Sequence, residues 1–182
     1  MITSTSSSQV KHVVNLQKKA KLRKEEKQFV VEGVKMVSEA PADRLVKVYV
    51  SETFKADNEE FLERMNYDSI GKDVLEIVTD NVFMRMADTQ TPQGIMAVVR
   101  MTDTDLEGIL SDKHNPLLLI IENLQDPGNL GTIVRMAEGA GVTGIIMSSN
   151  TVDIYNPKTI RSTMGSLYRV PVIYVDCLLY TS

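Results

Sequence analysis

Two stretches of this 182-residue chain combine residue types suited to binding an anion or a ribose. In the first, Glu122-Asn123-Leu124-Gln125-Asp126-Pro127-Gly128 follows an apolar run and leads into a helical pattern over about Asn129 to Ala140. Gly141 stands where a helix C-cap is expected. A strand ending in a polar, glycine-containing loop that opens a helix is the usual ligand position of an α/β sheet, and the unpaired N–H groups there favour anions. The glycine spacing matches neither a Walker loop nor a dinucleotide fingerprint. At ~100° per residue, Leu130, Val134, Ala137 and Gly141 share one face, and Arg135 points to nearly the opposite side. A guanidinium beside such a loop suits a phosphate or ribose clamp. The same pattern also fits an ordinary exposed arginine. The second stretch, Asn156 to Pro171, holds Lys158, Arg161 and Arg169, several hydroxyls, Gly165 and no acid. That composition suits phosphate contacts, and equally a helix N-terminus followed by a turn.

Other chemistry is poorly supported. His12 lies in a basic helical stretch and His114 in a polar one, neither with the Asp or Cys arrangement of a triad. With Cys177 the single cysteine and only two histidines, a disulfide framework is excluded and no metal site is expected. Glu122 is a possible site acid without a visible partner. The ten methionines, Met84, Met86 and Met136 among them, read as core filler.

The net charge of −4 hides an asymmetry. Residues 1–35 carry eight basic and three acidic residues, a net of +5, and the remainder carries 12 basic and 21 acidic, a net of −9. A basic arm bearing Lys18, Lys19, Lys21, Arg23 and Lys24 on an acidic body is a footprint that fits a polyanion, and a solvated helix face has the same composition. The longest apolar run, Leu117 to Ile121, is far below the ~20 residues that span a bilayer, so no membrane is expected. With a single cysteine, a reducing cytoplasm is the expected compartment, and the start lacks the apolar h-region of a secretory signal. The Ser-rich, acid-free opening up to Lys24 is also the composition of a transit peptide.

These residues need elements to position them. Val10 to Glu26 reads as one amphipathic helix with Val13, Leu16 and Ala20 on its apolar face. Strands are expected at Phe29–Val31, Leu45–Val50, Val74–Val78 and Gly94–Val99, with helices at Val34–Glu39, Asn58–Met65 and Asn81–Met86 between them. Met101 to Asn115, with a short helix at Leu106–Leu110, reads as a linker. Pro116–Ile121 is a continuous apolar run of the kind a parallel strand buried on both faces shows. Strands at Gly144–Met147 and Val170–Val175 and a helix at Asn156–Thr163 complete a second unit. Strands alternating with helices give an α/β class and two domains, 1–100 and 116–182, joined by 101–115.

The stretch from Glu122 through Arg135, with Ala137 and Gly141, strongly resembles the first motif of the SpoU (TrmH-like) RNA 2′-O-ribose methyltransferases of the SPOUT superfamily. Asn156-Pro157-Lys158, Met164-Gly165-Ser166 and Val170-Pro171-Val172 resemble the segment that follows it. Phe29-Val30-Val31-Glu32-Gly33 and Thr91-Pro92-Gln93-Gly94-Ile95 resemble the family's N-terminal substrate-binding domain. The resemblance implies a small α/β RNA-binding domain and a SPOUT-type parallel-sheet domain, knotted in the full family and usually a homodimer. It also implies methyl transfer from S-adenosylmethionine to a ribose 2′-hydroxyl of rRNA or tRNA. Asn129 and Arg135 fall on motif positions for RNA binding and catalysis. Arg135 is often given the proton-accepting role, but a guanidinium of pKa ~12.5–13.8 is a poor base. A clamp that lowers the hydroxyl's pKa is the preferred role, with Lys158 and Arg161 as further RNA contacts.

The family's later motifs, which form the knot and most of the cofactor pocket, do not follow Val175, and Asp176 to Ser182 resemble no part of the family. The chain is therefore expected to be a C-terminally truncated, inactive and aggregation-prone member whose cofactor residues are unknown. Two other readings stay open: a non-catalytic RNA-binding protein, and an α/β protein that binds a small molecule.

Overall fold

The computed structural model describes residues 1–67, 71, 73–111 and 115–176, and the chain divides into two compact units, Met1–Met101 and Thr102–Ser182. His114, Cys177 and the tail beyond Asp176 lie outside the described residues.

Unit 1 opens with two helices, α1 (Ser8–Lys18) and α2 (Ala20–Glu26), where the periodicity predicted one. The break is at Lys19, whose backbone is extended (φ −114°, ψ 102°). Arg23 explains it. This residue is buried, and its Nη1 donates to the carbonyls of Leu16 and Gln17 at 2.7 and 2.9 Å. The guanidinium thus satisfies carbonyls that the end of α1 leaves open, a favourable place for a cation. Ala20, expected on the apolar face, is exposed because the chain has turned.

The sheet of unit 1 contains β1 (Gln28–Glu32), β2 (Leu45–Ser51), β3 (Leu75–Val78) and β4 (Ile95–Arg100) in the order β1-β4-β2-β3. β4 runs antiparallel to both β1 and β2, and β2 pairs with β3 in parallel. Val10, Val13 and Leu16 of α1 and Val82, Phe83 and Met86 of α6 (Asp80–Met86) pack on Val30, Tyr49, Met96 and Val98. α3 (Val34–Ser38) contacts β1 and β4, and α4 (Glu52–Asp57), absent from the sequence reading, contacts β2 and β3. α5 (Glu59–Met65) follows at once. Residues 8–26 therefore pack as part of the folded unit.

Unit 2 is a parallel sheet in the order β5-β6-β7, from Leu118–Ile121, Gly144–Ser148 and Val172–Val175. α7 (Leu106–Ser111) falls in the stretch expected to be a linker. Its Ile109 is 3% exposed and packs with Ile146 and Ile173, so the helix is part of this unit's core. The strand buried on both faces is the central β6, not β5. At the sheet edge, Ile120 is 57% exposed and Leu117 just before β5 is 51%. α8 (Pro127–Gly139) and α9 (Pro157–Thr163) complete the unit, with Ser166–Tyr168 as a 3₁₀ turn. Leu130, Val134 and Ala137 of α8 are buried with Ile121, Ile145 and Met147. Two of the methionines expected in the core, Met84 and Met136, lie exposed on helix surfaces, and Met86 is fully buried.

Candidate nucleic-acid interface

In unit 2 the polar loop after β5 is built by hydrogen bonds to its own neighbours. Asn123 adopts a left-handed backbone (φ 53°), and its N–H donates to Ser148 Oγ at 3.0 Å. Ser148 Oγ lies 3.1 Å from Thr151 Oγ1, and Gln125 Nε2 donates to the Asn150 carbonyl at 2.7 Å. Asp126 caps α8 by accepting from the Asn129 N–H at 2.6 Å, and Pro127 takes the first helical position, where no N–H is needed. α8 thus begins two residues earlier than the periodicity suggested. Asn156 caps α9 in the same way, accepting from Lys158 N–H at 3.0 Å.

The two helices cross very closely. A Cβ added at Gly131 would stand 2.4 Å from Ser162 Cβ and 2.7 Å from the Thr159 carbonyl oxygen, so only glycine fits there. The close crossing brings Lys158 of α9 to the start of α8, its Cε 3.9 Å from where a Cβ of Gly128 would be. Of the expected site residues, Asn129, Arg135 and Lys158 are exposed and Arg161 is half-buried; Glu122 is exposed too. Asn129 and Arg135 are six residues apart, about 9 Å along the axis and ~120° around it. Thr132, between them at spacings of three, is also exposed, and its Oγ1 donates to the Gly128 carbonyl at 3.0 Å. Asn129, Thr132 and Arg135 form a sloping polar strip opposite the buried Leu130, Val134 and Ala137. Thr132, Ser148, Asn150 and Thr151 were not singled out from sequence. The three-residue spacing marked the first, but nothing local marked the others, which act across the sheet.

In unit 1, Lys18, Lys19, Lys21 and Lys24 are exposed around the α1–α2 elbow. Arg23 is the exception among the five expected RNA contacts. Its guanidinium is buried on the carbonyls of α1, so it shapes the elbow instead of facing a partner. His12 Nε2 lies 2.6 Å from Glu26 Oε2, tying α1 to the end of α2.

The Thr102–Val172 cleft of unit 2, walled by Tyr155, Leu167 and Arg169, encloses about 70 Å³. Small-ligand clefts span ~300–1,000 Å³, so this one does not fit a nucleoside-sized cofactor. Among the described residues there is no group of three or more His, Cys, Asp or Glu side chains able to hold a metal ion, and no helix long and apolar enough to cross a membrane.

Residues 7–97 match the MRM3-like substrate binding domain and residues 116–180 match the SpoU rRNA methylase family. The second match includes residues 176–180, which were expected to fall outside any resemblance. The human mitochondrial rRNA methyltransferase 3 is 34% identical over 170 residues, covering 88% of this chain and 38% of that protein. An uncharacterized tRNA/rRNA methyltransferase of Synechocystis is 34% identical over 174 residues, covering 93% of this chain and 60% of its own. This chain thus spans between 38% and 60% of the length of these relatives. Among solved structures, the AdoMet-bound rRNA methyltransferase from Sinorhizobium meliloti superposes with a TM-score of 0.81 at 24% identity, over 98% of this chain and 66% of that one. The SpoU methyltransferase AviRb from Streptomyces viridochromogenes gives 0.74 at 26%, over 93% and 62%. With an MRM3-like substrate-binding domain followed by a SpoU domain that carries the Asn129–Arg135 strip, the chain belongs to the SpoU family of RNA methylases.

Proposed function

We propose that this chain serves S-adenosylmethionine-dependent methylation of a ribose 2′-hydroxyl in rRNA, with tRNA as the alternative substrate. The observation that carries the reading is the α8–α9 crossing, which sets Lys158 beside the loop that opens the Asn129–Thr132–Arg135 strip. When bound, S-adenosylmethionine supplies the electrophilic methyl group. The residues of this chain are assigned to the RNA. Lys158 and Arg161 contact phosphate, Asn129 orients the ribose, and Arg135 clamps it so that the attacking oxygen is held in line and its proton is more easily lost. In unit 1 the Lys18, Lys19, Lys21 and Lys24 elbow adds sequence-independent phosphate contacts.

Exchanging those four lysines for glutamate is expected to abolish a gel shift with structured rRNA. The wild-type affinity should fall by a log–log slope of ~0.7–0.9 per phosphate contacted as salt is raised. An unchanged shift removes the elbow from this account.

A second reading, RNA binding without catalysis by this chain alone, rests on the exposed lysines of the α1–α2 elbow in unit 1. It is separated from the first by isothermal titration of the 182-residue chain with S-adenosylmethionine. Clear micromolar binding would overturn the second reading, and no heat of binding would favour it over catalysis by this chain alone. The exposed Leu117 and Ile120 support pairing of unit 2 with further protein surface, and a second copy of the chain is the assigned partner.

A further inference from the structure

The carboxyl ends of the parallel strands β2 and β3 open into a cleft that no assigned role of unit 1 uses. It lies between α4 and α6 and encloses about 320 Å³, within the ~300–1,000 Å³ of small-ligand clefts. Carboxyl ends of parallel strands are the usual ligand position in α/β sheets. Phe54 and Phe83 are buried beneath it, Pro92 lines one side, and Met84 is 55% exposed at its edge. The described rim is acidic. It carries Asp57 and Asp80, with Asn58 and Gln93 as neutral polar neighbours and no lysine or arginine among the lining residues.

The cleft is firmly built. Asp80 accepts from Thr53 Oγ1 at 2.7 Å and from Thr53 N–H at 3.3 Å. Ser51 Oγ caps α4 by accepting from Phe54 N–H at 3.1 Å, and Asn58 Nδ2 donates to the Phe54 carbonyl at 3.0 Å. Gly94, at φ +86°, lets its strand pass against Phe54, since a Cβ there would stand 2.7 Å from Phe54 Cβ. Hydrogen bonds from Thr53 and Ser51 hold the Asp80 carboxyl below its ordinary pKa, so it stays ionised at neutral pH. The exposed Asp57 ends α4.

We infer that this cleft binds an arginine side chain of a basic polypeptide. Two carboxylates with no basic residue lining the site repel RNA phosphate and attract a cation. The apolar wall of Phe54, Met84 and Pro92 suits a long aliphatic stem, as snorkelling cations require. Arginine fits better than lysine, because its weakly hydrated planar fork rests on apolar surface and binds carboxylate in two places. Unit 1 would then carry two surfaces of opposite sign, lysines at the elbow for RNA and carboxylates at the cleft for protein. The inference is independent of the RNA reading, because it uses none of the elbow residues.

The test is ¹³C-methyl NMR of the full chain labelled at methionine, titrated with the peptides Gly-Arg-Gly and Gly-Lys-Gly and with guanosine. Gly-Arg-Gly is expected to shift the Met84 methyl saturably and leave the exposed Met136 and Met164 of unit 2 unmoved. Gly-Lys-Gly should bind at least several-fold more weakly. Asp57→Asn, an exposed isosteric change, should weaken the arginine peptide roughly five- to tenfold at unchanged Tm. The four-lysine elbow variant should bind the peptide as the wild type does. No saturable shift at Met84, equal shifts at Met136, or full binding by Asp57→Asn would each overturn the inference. Saturation by guanosine in place of the arginine peptide would reassign the cleft to a nucleobase.

Discussion

Arg23 and Arg135 show how little a residue type says about its use until its surroundings are known. Arg135, exposed on α8, is assigned to substrate; Arg23, within a run of lysines that looks uniform, is buried on two carbonyls. Arg135→Lys keeps the charge but loses the fork. Methyl transfer by the protein is expected to fall by about ten- to a hundredfold, the loss of one charge-assisted bond of ~1.5–3 kcal/mol. Cofactor affinity should be nearly unchanged, and near-normal turnover would dismiss the clamp. Arg23→Met fills the space but strands the Leu16 and Gln17 carbonyls. It is expected to destabilise unit 1 by about 1–3 kcal/mol in urea denaturation. A stability loss below half a kcal/mol would mean that water takes over those carbonyls freely.

Among the elements, the α8–α9 pair makes the sharpest stability argument. Gly131→Ala places a methyl group against Ser162 and the Thr159 carbonyl and should lower stability by ~1–3 kcal/mol, with α9 displaced from the start of α8. Gly139, in the last turn of α8, has nothing within 4 Å of an added Cβ. Gly139→Ala should therefore stabilise the protein by roughly 0.5–1 kcal/mol, the ordinary helix advantage of alanine. Paired thermal melts check both signs at once. These glycines stand in one helix and are alike in sequence, because what separates them is the helix packed against them. The same limit explains the fold's misread elements. Strands and the α8 face were legible because their periodicities are local. The break at Lys19 was not, since the Arg23 contacts that hold it span six and seven residues. α7 looked like linker because one side chain, Ile109, supplies its buried contact. The β5 run looked fully buried because edge or centre is decided by strand order, which composition does not encode. The start of α8 was readable and missed: Asp126-Pro127 is the same cap signal as Asn156-Pro157.

Across the whole molecule, two units of different sheet type are exposed to different risks. Unit 2 presents Ile120 at an edge strand, and exposed apolar edges template association. Ile120→Lys is expected to reduce concentration-dependent self-association in sedimentation velocity; an unchanged profile would place the contact surface elsewhere. Unit 1 is protected differently, since its helices cover its sheet and α1 is part of that cover. Its strand order β1-β4-β2-β3 carries a temporal consequence. β4, the last strand to be synthesised, lies between β1 and β2 and supplies the pairing that both need. Until residues 95–100 have left the ribosome, β2 can pair only with β3, and β1 has no partner strand, so Phe29 and Val31 have no sheet to enter. Domains fold as units during synthesis at ~5–20 residues per second, so the apolar β1 segment spends several seconds without its partner strand. A nascent chain arrested before Gly94 should be digested rapidly by protease, and one arrested a tunnel's length beyond Met101 should resist it.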